Sequence, residues 1–229
     1  MKAIAIIPAR GGSKRIPQKN IKNFLGKPII AYSIEAAFES KLFKEVMVST
    51  DSEIIADVSK QYGASVPFFR SEKTSDDFAT IVDVVEEVLF NYMQKSLSFN
   101  LICCILPTAP FITSQRIIEG YKLLEERNYD SVTPVFKFSY PIQRALQFDV
   151  KNRLSMINPE NLYKRSQDFI STYHDCGQFY WCRTDSFIKE RSFFTKNGGA
   201  IILQENEGQD IDTMEDWCIA EMKYKLLNG

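Results

Sequence analysis

The sequence predicts an α/β fold with a mostly parallel sheet, and three observations carry that expectation. Short apolar runs alternate with amphipathic stretches of helical period through the first half, the pattern of βαβ units. The run Ala3-Ile4-Ala5-Ile6-Ile7 feeds directly into a glycine-containing loop crowded with cations. A second apolar run, Leu101 to Leu106, stops at Pro107 after a strongly helical stretch that starts at Thr80.

The elements follow in order. After the first strand and its basic loop, Lys27-Pro28 opens a helix, because proline is tolerated in the first turn. Ile30, Ile34, Ala37 and Phe38 mark its apolar face. Val46-Met47-Val48 is a short strand, and Ser49-Thr50-Asp51 supplies cap residues for the helix after it. Val66-Pro67-Phe68-Phe69 reads as a third strand. From Thr80, the residues Ile81, Val84, Val85, Val88, Leu89, Tyr92 and Met93 keep helical spacing, and Arg116 to Glu126 suits another helix.

The rhythm breaks at about Phe138. From there to about Thr172 the chain is polar and aromatic with weak periodicity, an excursion from the sheet. Regularity returns with Gln178 to Cys182 and Ala200 to Leu203. A terminal helix then carries Trp217, Ala220, Tyr224 and Leu227 on one face. With no repeat or flexible linker, residues 1–229 read as one domain with an inserted lobe at about 139–172.

Bulk properties narrow the function. A formal charge of −1 argues against a nucleic-acid binder, which needs a basic face. No run approaches about 18 apolar residues, so no membrane span is expected. The first apolar run is also too short for a signal peptide. Five cysteines, an odd number without a C-x-x-C pair, read as reduced thiols of a cytoplasmic protein. Cys103 and Cys104 look like core. A lone histidine, His174, excludes a histidine-rich metal site.

The charge is unevenly spread. Seven basic residues and no acid occupy the first 34 positions. The remainder carries 21 basic side chains (28 less those seven) against 29 acidic ones. Arg10, Lys14, Arg15 and Lys19 fall within the run from Ala9 to Asn20, around Gly11-Gly12 and Ser13. Neither G-x-x-x-x-G-K-[ST] nor G-x-G-x-x-G is present, which disfavours a simple ATPase or nicotinamide enzyme. What remains is a glycine pair with free backbone N–H groups, flanked by cations, that suits a nucleoside triphosphate. A merely solvated basic loop is the alternative.

The second constellation is Gln209-Asp210-Ile211-Asp212-Thr213. In an extended segment residues i and i+2 share a face, so both carboxylates converge while Ile211 turns to the core. Two carboxylates suit Mg²⁺, which takes its other ligands from water and phosphates. Alternatively, Asp212 or Thr213 caps the last helix with Asp216 completing the box, and both roles can coexist. Arg70 and Thr80 flank Asp76-Asp77, where ligands of open α/β sheets often sit. Their other reading is capping and surface charge. Pro107-Thr108-Ala109-Pro110 ends a strand at the same edge. His174 is a possible substrate contact, and Arg165, Gln178 and Tyr180 can grip a polar acid.

Together these residues resemble the CMP-sialic acid synthetase family, cytidylyltransferases that activate nonulosonic acids. The matching segments are IPARGGSKRIPQKN (7–20), VSTD (48–51), S-D-x-x-A-T (75–80), PTAP (107–110) and QDIDT (209–213). The resemblance implies a Rossmann-like, three-layer nucleotidyltransferase fold and transfer of CMP from CTP to the anomeric hydroxyl of an acidic nine-carbon sugar, with release of pyrophosphate. It implies Mg²⁺, or Mn²⁺, on Asp210 and Asp212. Ala9, Arg10, Gly11, Ser13, Lys14, Lys19 and Asn20 take nucleotide-loop positions, with Arg70, Phe78 and Thr80 on the cytidine side. Arg10, Lys19 and Asp210 would carry the chemistry. Leu106, Thr108, Arg165, His174, Gln178 and Tyr180 would hold the sugar. It further implies a homodimer built through the lobe and a place in glycosylating surface proteins such as flagellin.

Within that family, LPTAPF (106–111), YPIQRAL (140–146), RSQD (165–168) and YHDCGQFYW (173–181) look like the branch acting on pseudaminic acid. Leu106 stands where sialic acid synthetases usually carry glutamine, and an apolar wall suits a sugar with fewer hydroxyls. The same reaction on N-acetylneuraminic, legionaminic or 3-deoxy-octulosonic acid remains open, as does a non-catalytic nucleotide-binding protein.

Overall fold

The computed structural model describes residues 2–228. The first half runs β1 (Ala3–Pro8), β2 (Asn23–Phe24), β3 (Lys27–Pro28), α1 (Ile29–Ser40), β4 (Glu45–Ser49) and α2 (Glu53–Gln61). It continues through α3 (Glu72–Ser75), α4 (Ile81–Gln94), β5 (Leu101–Ile105), α5 (Ser114–Glu126) and β6 (Ser131–Lys137). Next come β7 (Leu146–Phe148), β8 (Leu154–Met156), β9 (Tyr173–Asp175) and β10 (Phe179–Arg183). The chain closes with α6 (Thr184–Glu190), β11 (Gly198–Leu203) and α7 (Met214–Asn228).

The main sheet has the order β11-β6-β10-β5-β1-β4, with β9 also paired to β6. β10 and β9 run against the other five strands, so the expected mostly parallel α/β sheet is present. Strand alternation sends Ala5, Ile7, Phe179 and Trp181 to the side of α1 and α5, where Ile30, Ile34, Ile117 and Leu124 meet them. Ile4, Ile6, Cys104 and Cys182 face α4 and α6, against Val85, Val88, Tyr92 and Phe187. This is the three-layer arrangement. Cys103 and Cys104 are fully buried, as expected. Among the described residues no helix is long and apolar enough to cross a membrane.

α5 lies close to the sheet because Gly120 has no side chain; a Cβ there would sit 2.9 Å from Trp181. A third apolar cluster joins Ile16 of the basic loop, Ile211, and Trp217 and Ala220 of α7. Two segments nearly 200 residues apart in sequence are thereby fixed side by side through buried isoleucines.

Several expectations need correction. Val66 to Phe69 is not a strand; only Ser65 makes an isolated bridge, to Met47. Pro67 has no N–H to donate to a ladder. Lys27-Pro28 pairs with Asn23-Phe24 in a hairpin, and the helix starts one residue later. Ser52 caps α2, not the residues before it. Phe38 and Met93 are exposed.

β6 is the longest of the strands that the sequence reading did not expect. Pro134 sits inside it, opposite Ile201 of β11. On its other edge β10 pairs only with Ser131 and Val132, and β9 only with Val135 to Lys137. Six positions separate Asp175 from Trp181, whereas three separate their partners Val135 and Val132. β9 and β10 are therefore one edge interrupted by a three-residue bulge at Thr133-Pro134, where the proline N–H is missing. The 139–172 segment holds the β7–β8 hairpin and three 3₁₀ turns.

Candidate active site

The parallel strands β1, β4 and β5 end at one edge, where ligands of open α/β sheets bind. The loop after β1 wraps a pocket of about 300 Å³ lined by Arg10, Ser13, Lys14, Lys19, Asn20, Arg70, Thr80, Leu106 and Thr108. Most of the sequence-predicted nucleotide residues are thus brought together.

Several are held by identifiable partners. Arg10 donates from Nη1 to the Asp76 carbonyl at 3.1 Å and to Asp77 Oδ1 at 2.9 Å. Lys14 pairs with the other Asp77 oxygen. These two cations hold the Asp77 carboxyl below its ordinary range, Lys14 more strongly. Asn20 is buried and donates to the Arg10 carbonyl at 2.9 Å, so it shapes the loop. Arg70 donates to the Ser49 carbonyl at 2.7 Å from Nη2. Burial lowers its pKa, against the raising effect of Asp51 and Glu87.

The backbone is less free than expected. Gly11 N–H donates to Asp51 Oδ1 at 2.7 Å, and Ala9 is fully buried with its N–H on the Ser49 carbonyl. Gly11 is needed for close approach, since a Cβ there would lie 3.2 Å from Ser52 Cβ. Phe78 is 90% exposed and does not line the pocket. Thr80 lines it but is engaged as the α4 cap, in a reciprocal box with Asp83.

Asp210 and Asp212 flank the fully buried Ile211, as the extended spacing predicted. Lys19 reaches across to this segment, donating to the Ile211 carbonyl at 2.7 Å with Asp212 Oδ1 at 3.8 Å. Burial lowers the Lys19 pKa, although Asp212 and Asp210 oppose the shift. Burial, then the charge of Asp212, raises the Asp210 pKa. Arg15 pairs with Asp212 at 2.8 Å. Capping of α7 falls to Thr213 and Asp216, whose side chains each accept the other's N–H, at 3.2 and 2.7 Å. The Asp210 and Asp212 carboxylates are left out of that cap. Among the described residues no group of three or more histidine, cysteine or acidic side chains forms a metal cage.

The expected sugar residues separate. Leu106 and Thr108 line the main pocket. His174 lines a different space of about 240 Å³ with Asp210 and Lys223, one that shares no lining residue with the main pocket. Its Nδ1 lies 2.9 Å from the Asp175 carbonyl, and its ring lies 4.7 Å from Phe138. Tyr180 is buried, and its hydroxyl donates to Asp175. Gln178 is not in the cleft. It is buried and donates to the Glu207 carbonyl at 2.7 Å, beside Arg116 in a separate pocket. Arg165 lies in the lobe, exposed and paired with Asp168 at 2.9 Å, outside the cleft of its own chain.

Sequence reasoning assigned no role to Arg15, Asp77, Asp175 or the Arg116–Glu207 pair, and read Asp51 only as a helix cap. Arg15 stood in the basic run, but its partner Asp212 lies far away in sequence; Asp175 bonds Gly177 and Tyr180, close by in the same 173–181 stretch.

A family model described as Cytidylyltransferase matches residues 4–220. The chain is 38% identical over 226 residues to a pseudaminic acid cytidylyltransferase of Campylobacter jejuni, covering 99% of this chain and 97% of that one. It is 32% identical over 232 residues to a CMP-N,N'-diacetyllegionaminic acid synthase of Legionella pneumophila, with the same coverages. A solved CMP:2-keto-3-deoxy-manno-octonic acid synthetase, complexed with CTP, shares the fold with a TM-score of 0.69 at 17% identity. It covers 100% of this chain and 99% of that one. With the phosphate-type loop, the acidic pair and the three-layer sheet in place, these matches establish that the chain belongs to the cytidylyltransferase family.

Proposed function

We propose that this chain transfers CMP from CTP to the anomeric hydroxyl of pseudaminic acid, releasing pyrophosphate. The observation that carries the reading is the position of Lys19, whose ammonium leaves the basic loop and hydrogen-bonds the backbone between Asp210 and Asp212. A cation for departing phosphates and a carboxylate pair thereby share one point. The name of the 38% identical relative supports pseudaminic acid, and that of the 32% identical relative supports an N-acylated acid sugar as the class.

Arg10 and Lys14 would exchange Asp77 for the triphosphate, and Lys19 would offset the charge that builds on the leaving pyrophosphate. Arg70 and the α4 N-terminus at Thr80 would border the cytidine. Asp210 and Asp212 fit a hard divalent cation, because burial and mutual charge leave Asp210 with a conflict that such an ion relieves. Mg²⁺ or Mn²⁺ held there would neutralise phosphate charge and polarise the attacked phosphorus. The sugar's anomeric oxygen attacks in line, and positioning and charge do most of the work.

The 139–172 lobe would join two copies and deliver Arg165 to the partner's cleft. Its exposed apolar side chains, with Tyr163 at 92% and Ile170 at 86%, support that role. Light scattering in solution tests it, and a monomer at micromolar concentration would count against it.

The central test is pyrophosphate release from CTP and Mg²⁺ with pseudaminic, legionaminic, N-acetylneuraminic and 3-deoxy-octulosonic acids, alongside an EDTA control. Release with pseudaminic acid, lost in EDTA, is expected. Release with another sugar alone would refute the substrate, and silence with all would refute the activity.

A further inference from the structure

The bulge between β9 and β10 places a carboxylate where no role has been given to one. Asp175 is the last residue of β9, and the chain then turns through Gly177 at φ +64°. Asp175 Oδ1 accepts the Gly177 N–H at 2.9 Å, and Oδ2 accepts the Tyr180 hydroxyl. Tyr180 is itself fixed, buried and stacked on Phe193 at 5.0 Å between ring centres. The carboxylate is therefore held on both oxygens but keeps lone pairs for further donors. Among the described residues no basic side chain forms an ion pair with it.

Gly177 ties this carboxylate to the reaction cleft. A Cβ on Gly177 would stand 3.7 Å from Asp210 Oδ1 and 3.7 Å from Leu106 Cδ1. Asp175 lines neither the main pocket nor the space beside His174; it is through Gly177, two residues on, that it stands near an apolar wall and the proposed metal carboxylate. An ionised carboxylate only accepts hydrogen bonds, and it repels the acid group of the sugar. What it can bind is an N–H or O–H. Leu106, alongside, can take only an apolar group without penalty. An acylamino group satisfies both neighbours at once, with its N–H toward the carboxylate and its methyl toward the leucine.

We propose that Asp175, braced by Tyr180 and Gly177, recognises an acylamino N–H of the acid sugar while Leu106 receives the acyl methyl. The assignment rests on the transferase reading above and adds which face of the cleft selects the substrate. Tyr180 is a positioning residue in this arrangement. Replacing its hydroxyl frees the carboxylate to turn away.

The test compares wild type with Asp175→Asn, Asp175→Ala and Tyr180→Phe. Steady-state pyrophosphate release is measured with N-acylated acid sugars and with 3-deoxy-octulosonic acid, which has no amide. Saturation-transfer NMR of the sugar, CTP affinity and Tm are measured in parallel. Asp175→Ala is expected to raise the KM for the acylated sugar roughly ten- to a hundredfold, leaving CTP affinity unchanged. Asp175→Asn and Tyr180→Phe should show smaller losses, and all three should narrow the preference over 3-deoxy-octulosonic acid. In wild type the acyl methyl should be the most strongly saturated signal. An unchanged KM and preference in Asp175→Ala would overturn the proposal. So would equal losses on acylated and non-acylated sugars, which would place Asp175 at the reacting centre instead. If Asp175→Ala does not fold, the Asn and Phe variants decide by the same criteria. Wild type that saturates the acyl methyl without releasing pyrophosphate would refute the transferase reading and leave Asp175 standing; no acyl methyl contact at all would overturn the recognition itself.

Discussion

Arg116 on α5 holds the loop that leads to Asp210, and removing it should damage both stability and turnover. Its Nε and Nη2 donate to Glu207 Oε1 at 3.1 and 2.6 Å, and its Nη1 donates to Glu119 at 2.6 Å. Hydrogen bonds donated to Glu207, then to Glu119, raise the Arg116 pKa. Burial would raise the Glu207 pKa, but its backbone bond at Gln204 and the Arg116 guanidinium together lower it. The side chains are 30% and 27% exposed, so the pair is neither a surface contact nor a dry one. Charge-assisted hydrogen bonds contribute about 1.5–3 kcal/mol when buried, and partial exposure reduces this pair to about 1–2 kcal/mol. Arg116→Met should lower Tm by about 2–8 °C at this chain length. A double-mutant cycle with Glu207→Gln should return a coupling near that energy. Because Glu207 stands three residues before Asp210 and also receives Gln178 on its carbonyl, kcat should fall while KM for CTP holds. Thermal unfolding and pyrophosphate release measure the two effects. A coupling energy below about 0.5 kcal/mol, or unchanged kcat, would refute this reasoning.

Four further outcomes are expected. Asp210→Ala and Asp212→Ala should each abolish turnover with Tm near wild type; near-normal activity in both would remove the metal assignment. Lys19→Ala should lower kcat roughly a hundredfold, as loss of one transition-state donor does. Its Tm should hardly move, because burial already works against that ammonium. Asp77→Asn should lower the KM for CTP at low salt by removing a competing anion from Arg10 and Lys14, and unchanged binding would show that Asp77 does not compete. Glu87 should steepen acid unfolding. Burial tends to raise its pKa, yet hydrogen bonds from Thr74 and Ser71 lower it below the ordinary 4.5. Its stabilising effect is present above that pH and is lost as pH falls through the depressed folded value. Glu87→Gln should therefore flatten the fall of Tm on the acid side of pH 4.5.

What was legible in the sequence was what local chemistry dictates. The α4 start at Thr80, the buried face of Ile211 and the crowding of Arg10, Lys14 and Lys19 all follow from spacing and residue type. What stayed hidden depended on pairing between distant segments. Pro134 disguised β6, since a proline argues against a strand unless its edge is known to be interrupted there. β9 is only three residues long and draws its definition from β6. Gln178 reads as a sugar contact from its polar amide and the family resemblance, yet that amide turns to Glu207. Asp77 and Asp51 were unreadable as partners of the basic loop because the contacts span 67 and 40 residues.

The carboxylates on the basic loop carry one more consequence. Asp77 holds Arg10 and Lys14, and Asp212 holds Arg15 and Lys19, so the cleft rests with its own counter-ions in place. If these cations hold the triphosphate as proposed, its loading is an ion exchange rather than a capture by bare charge. A ligand must present several anionic groups, correctly spaced, before it displaces tethered carboxylates that return the moment it leaves. Lone phosphate ions and loosely matched polyanions would then be turned away by the residues proposed to admit CTP, and product would leave a site that re-neutralises itself behind it.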